Sequence, residues 1–192
     1  KLEELWVFGN SLKSIDVSNN KLLKSLLCNF NDIDKLNVSN NSNLVTLWCH
    51  NNYLQELDIS KNSKISQLLC GNSIDINTNT IFGDNTITHL DLTNNINLQE
   101  FSCLGLNLSS IDISKCSLLY NIECSHNPIE SIDFSNNVAL KEIYAHHTNM
   151  KNIDISKNVN LKLLECGYND IESINICQNK KLEKLWCSGT QQ

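Results

Sequence analysis

Leu, or once Ile, recurs at 2, 23, 44 and 65, and again at 98, 119, 140, 161 and 182. The step is 21 residues, except for one of 33 between 65 and 98. Within each step the order is L-x-x-L-x-C-x-x-N-x-L-x-x-L-D-[VI]-S-x-N, as in Leu44, Leu47, Cys49, Asn52, Leu54, Leu57, Asp58, Ile59, Ser60 and Asn62. L-x-C alternates apolar and polar positions, which predicts a short strand with one buried face. L-D-[VI] alternates as well and predicts a second extended segment on the opposite side of the unit. No unit can cover its own apolar face, so the units must stack, and stacking buries the faces in one long core. Parallel neighbours then lie about 4.8 Å apart, and each position of the repeat becomes a row along the molecule.

The ladder row holds Val7, Cys28, Cys49, Cys70, Cys103, Cys124, Ala145, Cys166 and Cys187. All are small or apolar, and a buried free Cys behaves as a small hydrophobe. In-register parallel strands point their Cβ atoms the same way, which strains a disulfide, and the chain has an odd number of cysteines, 9. Without a close C-x-x-C pair, zinc on this row is not expected. Cys116 and Cys177 lie off the row, at turn positions. Two Asn rows, Asn10, Asn31, Asn52, Asn127, Asn169 and Asn20, Asn41, Asn62, Asn95, Asn137, Asn158, Asn179, fall where the chain must turn, and are expected to satisfy backbone groups there. Asp16, Asp58, Asp91, Asp112, Asp133 and Asp154 alternate against buried neighbours and face outward. Local hydrogen bonds are expected of them rather than calcium. The long step inserts a loop within 71–86, in the stretch GNSIDINTNTIFGDNTIT. Asp75, Asn77 and Asn79 imitate half a calcium loop, but Thr80 and Thr86 stand where Gly and Glu are required. A loop edging the sheet beside Leu69 is the better reading.

Strand residues that do not point inward form the solvent face. One row there is Trp6, Leu27, Trp48, Leu69, Ser102, Glu123, Tyr144, Glu165 and Trp186. The next contains Phe8, His50 and His146, and the one beside it Phe30, His126, His147 and Tyr168. The contiguous apolar groups Trp6, Leu27, Trp48 and Leu69, with Phe8 and Phe30, predict a contact surface. Packing against a missing cap or neighbouring domain is the alternative. Glu123, Tyr144 and Glu165 gather acids beside His126, His146, His147 and Tyr168. A solvated recognition surface is expected here, not a metal site or an acid–base pair, and His126 and His147 predict binding that is pH-sensitive near pH 6.

These motifs resemble the leucine-rich repeat family across almost the whole chain. The similarity is to bacterial surface proteins of the internalin-like kind that carry a cysteine ladder. The repeat length departs from the usual internalin one, and the A-F-x-x-C signature of the other common bacterial type is lacking. The resemblance implies a solenoid with a parallel β-sheet on its concave face, short extended or irregular convex segments and little helix. It also implies that the chain, 1–192, is one solenoid of about nine repeats with caps or further domains outside it. Its implied function is non-enzymatic recognition of a protein or glycan on the concave face, in adhesion or host interaction at the bacterial surface or after secretion. A structural spacer, an intracellular effector module and a His-based enzyme or metal protein are the rivals. No catalytic residue, metal or cofactor is expected. Composition narrows the partners: net charge is −6 and every basic residue apart from His is Lys, which argues against nucleic acid. No apolar run suits membrane insertion. The opening at Lys1, already inside a repeat, reads as a truncated start.

Overall fold

The computed structural model describes residues 1–75, 78 and 80–189, and of Phe82 the backbone alone. The apolar alternation forms nine three-residue strands, one per coil: β1 (Glu4–Trp6), β2 (Ser25–Leu27), β3 (Thr46–Trp48), β4 (Gln67–Leu69), then β7 (Glu100–Ser102), β8 (Asn121–Glu123), β9 (Glu142–Tyr144), β10 (Leu163–Glu165) and β11 (Lys184–Trp186). Between β4 and β7 lie β5 (Ser73–Asp75) and β6 (Thr80–Phe82). The nine strands form one parallel sheet in chain order, each residue paired with its equivalent in the next coil, as Leu26 with Leu47 and Leu47 with Leu68. No helix occurs among the described residues, so none is long and apolar enough to cross a membrane.

Stacking buries the repeat rows completely: Leu26, Leu47, Leu68, Ile122, Ile143 and Leu164 share one core with the cysteine row. All nine cysteines are free, and only Cys177 and Cys187 are exposed. Burial pushes the Cys28 and Cys70 thiols up to about 12, so the buried part of the row is held protonated.

The second half of each unit takes the irregular of the two forms expected of it. Leu57 and Ile59 are buried with Asp58 exposed between them, so the alternation holds, yet no strand forms there. Its backbone is claimed by other partners. Asp58 Oδ1 accepts from Ser60 N at 2.9 Å, and Asp16, Asp91, Asp112, Asp133 and Asp154 repeat this two-residue turn. These bonds lower the Asp58 pKa and leave the carboxylates engaged locally.

Both Asn rows are internal, apart from Asn10 and Asn20 in the first coil. Asn52 Nδ2 donates to Cys49 O in its own coil and to Cys28 O in the preceding one, while its Oδ1 accepts from Ile33 N. Asn62 donates to Val38 O and Asn41 O. Cys116 occupies a place in this second row, and its thiol donates to Asn95 O at 3.7 Å.

The insertion is an antiparallel hairpin, with Ser73 opposite Phe82. Asn77 and Asn79, of the calcium-loop imitation, lie outside the described residues. After the hairpin, Asn85 re-enters the interior and donates to Cys49 O, Cys70 O and Gly71 O, and Leu54 N donates to its Oδ1. Asn85 is therefore the missing member of the first Asn row, displaced by the insertion.

Asn52→Asp replaces the two donors by an acceptor facing carbonyls and is expected to destabilise by at least about 3 kcal/mol. Cys49→Ala should cost about 1 kcal/mol, since Ala145 already fills the same row, whereas Cys49→Leu should cost about 1–3 kcal/mol by overpacking. Urea denaturation followed by circular dichroism measures all three.

Candidate functional site

The solvent face of the sheet divides into two patches. In the first, strand register aligns Trp6, Leu27, Trp48 and Leu69 across β1 to β4. Trp6, Phe8 and Phe30 are about half exposed, at 61%, 53% and 48%. Leu27, Trp48, His50 and Leu69 are more covered because they lie against one another. Phe30 meets His50 edge-on with centroids 5.3 Å apart, and Trp48 lies tilted 6.4 Å from His50. Desolvation in this setting lowers the His50 pKa to about 4, so its imidazole is neutral. Trp48 Nε1 is buried with no hydrogen-bond partner.

The second patch spans β8 to β11. Register places Glu123, Tyr144, Glu165 and Trp186 in one row. Beside them His126, His147 and Tyr168 form a stack: His126 lies 4.5 Å from His147 at 20°, and His147 lies 4.2 Å from Tyr168 at 6°. His146 stands edge-on to both imidazoles, at 5.0 and 5.6 Å. One ring nitrogen from each histidine lies within 4.8 Å of the others. Backbone bonds between successive coils fix this spacing, as His126 N to His146 O and Tyr168 N to Ser188 O.

The stacked row has a backbone signature. Phe30, Asn51, His126, His147 and Tyr168 all have φ between 50 and 55°. This left-handed conformation costs an ordinary side chain about 1–2 kcal/mol. Gly105 and Gly189 occupy the row at either end of the stack, and a Cβ on Gly189 would sit 2.7 Å from the Tyr168 ring. Glycine suits every one of these positions, so bulky aromatic groups are held here against the local preference, a pattern typical of functional surfaces. The hairpin lies between the patches: Asn51 donates to Ser73 Oγ at 2.7 Å, and Ile81 covers Gly105. It thus edges the face along the Asn51–Gly105 row.

Desolvation takes His126 down to about 4, away from the pH 6 window expected of it, and lowers His146 and His147 as well. The group tuned towards neutrality is Glu123, raised to about 7 by burial although its Oε1 accepts from Ser125 N at 2.8 Å. Ser125 was not singled out from sequence; its Oγ also accepts from His146 N. Glu165 is raised too, and burial with the Glu142 carboxylate beside it lifts Tyr144 to about 12.

No family model matches the chain, and no curated protein does. Solved structures do. The fold is a leucine-rich repeat solenoid with a cysteine ladder, and it resembles internalin structures. It is similar to the functional domain of InlJ from Listeria monocytogenes, described as including a cysteine ladder, with 27% identity and a TM-score of 0.87 over 94% of this chain and 38% of that one. A leucine-rich repeat protein of Leptospira interrogans matches with 20% identity and a TM-score of 0.82, over 96% of this chain and 49% of its own. Internalin C2 of Listeria monocytogenes shares the fold with 18% identity and a TM-score of 0.79, over 95% and 80%. The chain thus spans less than half the length of the first two.

Glu123 sets a testable pH dependence. Its folded pKa, about 7, lies above the ordinary 4.5, so its ionisation removes stability as pH rises through that window. The depressed His126 acts oppositely: its contribution is present above 6.5 and is lost as pH falls through about 4. Glu123→Gln should therefore melt at a higher temperature than the wild type at pH 8 and at the same temperature at pH 4, with the His126 effect common to both proteins.

Proposed function

We propose that the chain is a non-enzymatic recognition module of a bacterial surface or secreted protein, presenting the solvent face of its sheet to a protein or glycan in adhesion or host interaction. The observation that carries this reading is the first patch. It is a contiguous aromatic and aliphatic surface on a rigid sheet, with Trp6, Phe8 and Phe30 half exposed and Phe30 in a left-handed backbone conformation. Exposed aromatic clusters of this kind anchor binding hot spots. The likeness to internalin and other leucine-rich repeat structures supports an interaction scaffold, and the likeness to Listeria proteins supports the bacterial surface setting. A chain without Arg and with net charge −6 favours protein or glycan over nucleic acid. The ladder thiols from Cys28 to Cys166 are buried, and burial holds Cys70 protonated, which argues against nucleophilic catalysis on that part of the row.

Trp6→Ala/Trp48→Ala is the variant that tests this. Capture from host-cell surface extract and binding to a glycan array should lose at least about tenfold in apparent affinity, the effect of removing one or two anchors, while circular dichroism stays unchanged. Equal capture by both proteins would instead favour a structural spacer.

A further inference from the structure

We propose that His126, His146 and His147 form a binding site for one borderline divalent transition-metal ion, of the zinc, cobalt or nickel class. This goes beyond the recognition reading and stands independently of the tryptophan patch. Sequence spacing makes the three neighbours but does not give the distances between their rings. Stacking the coils brings one ligand atom of each to within 4.8 Å of the others. Three imidazoles and no required carboxylate suit a borderline cation and not magnesium or calcium. His126 Nε2 is buried with no hydrogen-bond partner, an arrangement that costs free energy in the empty protein and that a metal bond relieves.

The geometry sets what binding must change. Tetrahedral zinc–nitrogen bonds of about 2.0–2.1 Å place ligand atoms about 3.4 Å apart. The three nitrogens must therefore close inward by up to about 1.4 Å. The His126 and His147 rings, nearly parallel at 20°, must also tilt so that their lone pairs converge. The backbone stays fixed by His126 N to His146 O at 3.0 Å and His147 N to Gly167 O at 3.1 Å, so side-chain torsions make the adjustment. Three protein ligands leave a position open. A cleft of about 280 Å³ adjoins the site, lined in part by His146, His147, Glu165, Tyr168 and Trp186, and gives a further ligand room to enter.

The test uses the full chain carrying Cys177→Ser and Cys187→Ser, which removes the two exposed thiols. Cobalt and zinc are titrated in, followed by calorimetry, visible absorption and histidine side-chain NMR. The expected result is one ion per chain, cobalt d–d bands without a thiolate charge-transfer band, and NMR shifts confined to His126, His146 and His147. His126→Ala, His146→Ala and His147→Ala should each weaken affinity by at least about tenfold. His89→Ala, an exposed histidine elsewhere, should change nothing. If an alanine variant does not fold by circular dichroism, the corresponding Gln variant and the wild-type NMR shifts decide. No saturable binding, a thiolate charge-transfer band, displacement by excess magnesium, or affinity unchanged in the histidine variants would each overturn the site.

Discussion

The constraint beneath this fold is that a coil with only three residues in a strand must still satisfy its backbone. Side-chain amides meet it from inside. After most strands an Asn, such as Asn52, donates back to its own coil and to the preceding one, and at the opposite turn a second row, as Asn62, donates to two carbonyls of the preceding coil. Each amide therefore ties its coil to the preceding one, and its loss would uncover carbonyls there. Cys116 shows how far the rule bends: a thiol can hold one place in the second row because it still offers a donor to the Asn95 carbonyl. The cysteine ladder answers a different need, filling narrow space beside the Leu row without polar cost.

With the interior fixed in this way, the outer face is free to vary, and it does so row by row. One half carries indole, phenyl and aliphatic groups; the other carries imidazoles, phenols and carboxylates. Their differing polarity gives one sheet two chemistries about as far apart as a few strands. The left-handed row contributes to both, with Phe30 in one and His126, His147 and Tyr168 in the other. Backbone geometry that favours glycine thus supports side chains that glycine could not replace functionally.

The repeat, the cysteine row and the solvent-face rows were legible in the sequence because stacking turns spacing into position. Asn85 was not legible, since the insertion moved it out of frame and its role appears only once the hairpin is closed. The second segment takes the irregular form, one of the two expected on the convex side: its alternation is real, and aspartate turns occupy part of its backbone. His126, His146 and His147 were readable as neighbours, yet their ring distances and lowered pKa values depend on rotamers and desolvation, which spacing does not encode. The same holds for Glu123, whose shift comes from cover by its surroundings. The left-handed row is signalled only faintly, by Gly, Asn and aromatic residues sharing one repeat position.

The hairpin has a consequence for how such a molecule can diversify. It leaves the chain just after a strand and returns with an Asn at the depth where one was due, so β4 still pairs in register with β7. Extra length is spliced in without altering the pitch of the stack. Reach at the rim and spacing across the face are therefore separately adjustable, and a lineage could grow, shorten or exchange that outgrowth while every row beneath it kept its place.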